Sequence, residues 1–120
     1  MKLKKSFAFA WNGLRICFVA GQNFRIHVVV AIVVVILAVL FNISAHEWIF
    51  ICFCIAFVII MEMLNTAIEK LCDVVHPAVH PGIKKVKDIS AGAVLISAIF
   101  SLLTGLIIFL PKIIACFKSM

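Results

Sequence analysis

Charge is scarce in this chain. Asp, Glu, Lys and Arg make up 13% of its 120 residues, against about 25% in a soluble domain. Hydrophobic residues reach 66%, where roughly 45–50% is usual. That balance excludes a water-soluble fold, and one membrane domain over residues 1–120 is expected. Zinc or redox spacing is absent as well. Cys17, Cys52, Cys54, Cys72 and Cys116 are scattered, two of them inside an apolar run, and read as reduced, packed side chains. No small-residue cleavage site follows the basic start, Met1 to Lys5, and Arg15 interrupts the next apolar stretch. The segment is therefore expected in the mature protein. Acids are scarcer than bases, five against eleven Lys and Arg, for a net charge of +6. The basic residues flank apolar runs instead of clustering on a polar module, which points to anionic headgroups and phosphates and away from nucleic acid.

What is present is greasy and periodic. Residues 28–45 are uncharged and nearly long enough, at about 1.5 Å each, to cross a ~30 Å hydrocarbon core. A second uncharged run covers 48–61 and continues as a helix to about Val75, now carrying polar residues. A third covers 89–110 and is expected to end at Pro111 and Lys112. Ahead of these, Leu3, Phe7, Leu14 and Phe18 recur at helical spacing beside Trp11, with Lys5, Asn12, Arg15 and Gln22 on another face. This is the pattern of an amphipathic interfacial helix, with a ragged tail as the alternative. The expected fold is an all-α membrane protein: an N-terminal amphipathic surface helix plus three transmembrane helices.

Nine of the eleven Lys and Arg precede the first span or lie between the second and third, and none lies in the loop 42–47. The positive-inside rule then places the N-terminus and the 74–87 loop on the cytoplasmic side of the cell inner membrane. That loop carries His76-Pro77 and His80-Pro81-Gly82, which are expected to break the helix. Ala93, Ser97, Ser101 and Gly105 form a four-residue small stripe suited to close helix packing, within or between chains.

Four of the five acids, Glu62, Glu69, Asp73 and Asp88, fall within residues 62–88. Taking Glu62 as zero on a helical wheel, Asn65 lies at about −60°, Glu69 at about −20°, Asp73 at about +20° and Thr66 at about +40°. They make one polar stripe on a greasy helix. A carboxylate at the bilayer centre costs on the order of 2.5–3.5 kcal/mol, so such groups point to function. Counting from Trp48, Glu62 lies about 21 Å into the slab and Glu69 about 32 Å, at its inner boundary. About 10 Å separates them along the axis, too far to share one ion, so they should divide the labour. Glu62, partly desolvated, suits a general base facing a hydroxyl at headgroup depth. Glu69 lies where Mg²⁺ and a cytoplasmic anion can reach, and Lys84, Lys85 and Lys87 near that boundary can neutralise a polyphosphate. These are the parts of phosphoryl transfer. Neither a GxxxxGK[ST] nor a GxGxxG loop occurs, so ATP would bind by an unorthodox route.

The string Glu62-Met-Leu-Asn65-Thr66-Ala67-Ile68-Glu69-Lys-Leu-Cys-Asp73, with His80-Pro81 and Lys87-Asp88-Ile-Ser-Ala91-Gly92-Ala93-Val94 after it, closely resembles the signature of the prokaryotic diacylglycerol kinase family, one branch of which phosphorylates undecaprenol. Trp11-Asn-Gly13-Leu-Arg15 and Asn23-Phe24-Arg25-Ile26-His27 extend the resemblance over nearly the whole chain. The resemblance implies an ATP- and Mg²⁺-dependent lipid kinase, acting on diacylglycerol or undecaprenol and assembled as a homotrimer with sites shared between neighbours. It implies that Glu62 is the catalytic base, with Asn65 beside it, and that Glu69 ligates the metal of Mg-ATP. Lys87, Asp88 and His80, with Glu69, would line the nucleotide site, and Glu62, Arg25 and Asn23 would meet the lipid. The Asn-Phe-Arg-Ile-His and His-Pro elements look more like the undecaprenol branch.

One position departs from the family. Gly21 stands where a second metal-binding Glu is usual, which implies weaker metal binding and leaves a catalytically impaired relative as an alternative. Restoring Glu there should separate an impaired site from a compensated one. A small proton-coupled transporter is the alternative from another class, because intramembrane acids also relay protons. Among blander readings, Asp88 could be the N-cap of the third span, Glu62 and Glu69 could pair structurally with Lys or Arg, and His27 and Arg25 could serve packing or headgroup contacts.

Overall fold

The computed structural model describes residues 2–120. Four helices follow one another: α1 Lys2–Ala20, α2 Gln22–Leu40, α3 Ala45–Val75 and α4 Pro81–Lys118. The last three are long and apolar enough to cross a membrane. The expected all-α membrane fold, a surface helix plus three spans, is the one observed. Leu3, Phe7 and Trp11 of α1 are exposed, and Cys17 is its one buried side chain. An apolar face left open in this way fits the headgroup boundary of a bilayer.

The α2–α3 hairpin turns tightly because of two residues. Asn42 adopts φ 50°, a left-handed conformation that Asn tolerates better than most residues. Ser44 then caps α3: its Oγ accepts from Glu47 N–H at 3.2 Å, while its own N–H donates to Glu47 Oε1 at 3.0 Å. Such a reciprocal cap stabilises a helix start by on the order of 0.5–2 kcal/mol. Beneath the turn lies the main apolar cluster, Ala38, Ile43, Ile51, Ile108 and Phe109, which joins α2, α3 and α4. Phe41 tilts against Phe109 with ring centroids 6.2 Å apart.

α3 packs along α4, α2 packs on α3, and α1 touches α2 and α3. The small stripe is spent inside the chain: Ser97 has no accessible surface, and the Ser101 hydroxyl lies 3.4 Å from the Cys54 carbonyl of α3. Small side chains allow that close approach where lipid supplies no hydrophobic drive.

Two boundaries differ from expectation, both of them ends of α4. α3 runs to Val75 as its pattern indicates, but α4 begins at Pro81, well before residue 89. Proline fits the first turn, where its missing N–H has no intrahelical partner, and His80 supplies the cap by accepting the Gly82 N–H on Nδ1 at 3.0 Å. Asp88 therefore lies inside α4 and is not its N-cap. At the other end Pro111 sits within the helix instead of ending it. The following turn is held from outside, since Lys112 Nζ pairs with Glu47 Oε1 at 3.2 Å and Ile113 packs on the apolar cluster. Those contacts offset one lost backbone hydrogen bond.

Gly21 links α1 to α2. Its N–H donates to the Cys17 carbonyl at 2.9 Å, and a Cβ built on it would lie 2.8 Å from that same oxygen and 3.1 Å from Phe24 Cβ. The first neighbour is backbone, so any side chain here forces the junction open. Gly21→Ala is expected to destabilise the protein by about 1–3 kcal/mol, read as a lower thermal midpoint in detergent. Gly21→Glu carries the same strain, so restoring the carboxylate does not cleanly separate an impaired site from a compensated one.

Candidate active site

Glu62 sits in the membrane-spanning part of α3 and is turned inward. It is 3% exposed, and its Oε1 lies 3.3 Å from His27 Nε2 on α2. The acid thus faces a neighbouring helix and not acyl tails, which is what a burial cost of several kcal/mol demands.

One turn toward the C-terminal end of α3, Asn65 is bonded on both sides. The buried Ser90 hydroxyl of α4 donates to Asn65 Oδ1 at 2.7 Å, and Asn65 Nδ2 donates to Glu69 Oε1 at 3.1 Å. Asn65, expected beside Glu62, spends its amide on Glu69 instead. Because an amide places its donor and acceptor on fixed sides, Ser90 sets which way Asn65 presents its NH₂ group. Ser90 is a residue that sequence reasoning passed over, although it lies inside the Lys87-Asp88-Ile-Ser90 string. Ser90→Ala removes one such bond and is expected to lower turnover by about fivefold, equivalent to about 1 kcal/mol, with fold and assembly retained on size exclusion.

Below this, Lys87 Nζ pairs with Asp73 Oδ1 at 2.9 Å and ties the end of α3 to the start of α4. Lys84 Nζ pairs with Asp88 Oδ2 at 2.6 Å along the exposed face of α4. Exposed pairs of this kind are worth little, so both can exchange partners for a phosphate at small cost. His80 uses Nδ1 as a cap, and its ring lies 5.0 Å from that of His76, whose Nδ1 lies 3.0 Å from the Ala78 carbonyl. Arg25 Nη1 donates to the carbonyls of Phe18 and Val19 at 2.8 and 3.0 Å, closing the C-terminus of α1, where a cation is favoured. Asn23 is exposed on the first turn of α2.

Among the described residues no cluster of three His, Cys, Asp or Glu side chains could cage a metal. Magnesium seldom needs one: it keeps several waters and binds through one or two carboxylates plus substrate phosphates. The exposed Glu69 carboxylate, aimed by Asn65 through one oxygen, fits that donor set. Buried acid, oriented acid and movable cations thus lie in order from the membrane interior to its polar edge.

A family model described as prokaryotic diacylglycerol kinase matches residues 8–109. The chain belongs to that family. It is 39% identical over 109 residues to the undecaprenol kinase of Bacillus subtilis (strain 168), covering 91% of this chain and 89% of the relative. It is 35% identical over 111 residues to a diacylglycerol kinase of Synechocystis, covering 92% of this chain but 63% of that longer protein. The diacylglycerol kinase of Escherichia coli (strain K12) is 28% identical over 107 residues, 89% and 88% of the two chains. With three membrane-crossing helices, this member of the prokaryotic diacylglycerol kinase family is a multi-pass membrane protein of the lipid kinase class.

Proposed function

We propose that the chain transfers the γ-phosphoryl group of ATP to the hydroxyl of a membrane lipid at the cytoplasmic face of the inner membrane. The observation that carries this reading is the buried Glu62, placed on the same helix as the exposed Glu69 and one turn above the Asn65–Ser90 bond. A lipid hydroxyl held at headgroup depth meets Glu62, which takes its proton as the oxygen attacks phosphorus. The phosphates lie lower, toward Lys87 and Asp88, with His80 at the head of α4 lining the nucleotide side. Glu69 would hold the Mg²⁺ of Mg-ATP, which when bound screens the charge of the phosphate oxygens. Asn23 and Arg25 border the polar end of the lipid. No covalent enzyme intermediate is needed, and catalysis rests on positioning and charge compensation. Keeping base and acceptor inside the membrane also removes water as a competing acceptor.

The acceptor we favour is undecaprenol over diacylglycerol. Its support is the Asn23-Phe24-Arg25-Ile26-His27 element and the 39% identity to a protein named for that alcohol. One domain over 1–120 is the reading that length and composition support, and a homotrimer is what the family resemblance implies. A proton-coupled transporter is disfavoured, because the acids gather toward one end of the bundle instead of bridging its midplane. Purified protein in lipid, given Mg-ATP and each alcohol in turn, tests the reading. Phosphorylated undecaprenol is expected, and no labelled lipid with either alcohol would reject it.

A further inference from the structure

We propose that His27 is a positioning residue for Glu62, holding one carboxylate oxygen so that the other faces the lipid hydroxyl. The inference rests on the lipid kinase reading and adds to it a group on α2 that the acidic stripe of α3 does not contain.

Among the described residues, no Lys or Arg pairs with Glu62, and its one charged or titratable neighbour within ion-pair distance is His27 Nε2, at 3.3 Å from Oε1. Asn65 bonds Glu69 and Ser90 and makes no hydrogen bond to Glu62. Of the α2 residues next to His27, Phe24, Ile26, Val28, Val29 and Val30 are apolar, and the one charged side chain, Arg25, turns its guanidinium to the Phe18 and Val19 carbonyls of α1. A carboxylate in such surroundings needs a donor to fix its rotamer, and imidazole N–H is the one within reach.

The chemical type of that donor matters. A lysine or arginine at this place would carry a permanent positive charge and stabilise the carboxylate against accepting a proton. An imidazole carries no permanent charge, so it can orient Glu62 without the fixed cation that a lysine or arginine would add. At 3.3 Å the pair is within ion-pair distance but lacks hydrogen-bond geometry, as catalytic contacts often do before substrate closes the site. His27 is also part-exposed, with 24% of its side-chain surface accessible against 4% for Glu62.

A structural role alone would make the same contact, so the test must separate the two. The full-length protein in lipid nanodiscs is assayed for lipid phosphorylation as wild type, His27→Leu, His27→Gln and His27→Leu combined with Glu62→Gln, with assembly checked by size exclusion. His27→Leu is expected to lower kcat by about tenfold with KM for ATP within twofold of wild type. His27→Gln, which restores a donor, should recover most of that loss. In the Glu62→Gln background the Leu substitution should cost nothing further, because the group it positions is already gone. A second readout does not depend on activity: in protein carrying ¹⁵N-histidine, the His27 Nε2 resonance should move on Glu62→Gln.

An unchanged kcat in His27→Leu, a Gln variant as damaged as Leu, additive losses in the double variant, or an immobile Nε2 resonance would each overturn the inference while leaving the lipid kinase reading standing. A wild-type protein that phosphorylates no lipid overturns the kinase reading and this inference with it.

Discussion

Replacing Glu62 by Gln is expected to cut lipid phosphorylation by at least about 10²-fold, the low end for losing a general base. Gln preserves the volume of the side chain and keeps an oxygen for His27, so neither a cavity nor an unpaired imidazole is created. What disappears is the capacity to accept a proton. Initial rates with saturating Mg-ATP, alongside size exclusion of the same preparation, measure the effect. Normal turnover in an intact assembly would reject Glu62 as the base.

The second large effect is expected at Glu69. Glu69→Gln leaves an oxygen for the Asn65 amide but removes the negative charge that would attract a hard cation. With Gly21 providing no second carboxylate, little else on this chain can compensate. The Mg²⁺ concentration for half-maximal activity should rise at least about tenfold, and excess Mg²⁺ should restore part of the rate. A titration of activity against Mg²⁺ in wild type and variant checks both points. The pattern distinguishes the two acids, because added metal should do nothing for Glu62→Gln. An unshifted Mg²⁺ dependence in Glu69→Gln would remove Glu69 from the metal role.

Much of this arrangement was legible in the order of residues. The apolar runs and the stripe from Glu62 to Asp73 indicated three spans, a surface helix and the extent of α3 to Val75, because burial in lipid leaves few other patterns open. Local punctuation was less reliable. Pro81 reads as a breaker, yet it opens α4, since the energetic meaning of proline depends on whether its position has an N–H to lose. Pro111 reads as a stop, yet the helix passes through it because Lys112 finds Glu47 on another helix. Those outcomes depend on partners far away in sequence.

The site was legible along one helix and obscure between helices. Wheel angles set Asn65 near both Glu62 and Glu69, and only packing against Ser90 of α4 decides which of them it bonds. His27 lies thirty-five positions before Glu62, and no periodicity links the two. Arg25 reads as a headgroup contact, whereas part of its guanidinium closes α1. Gly21 reads as a lost ligand, and its tight junction with Cys17 is a backbone property that a residue name does not convey.

The α3–α4 pair is laced at both extremities, Glu47 to Lys112 at one and Asp73 to Lys87 at the other. Sliding one helix past the other by a single turn, about 5.4 Å, would undo both laces at once. Tilting the two helices as one unit keeps both contacts, and hydrophobic mismatch costs only fractions of a kcal/mol per Å. Because Glu62 and Glu69 share α3, their separation along that helix is the same whatever the thickness of the membrane around it.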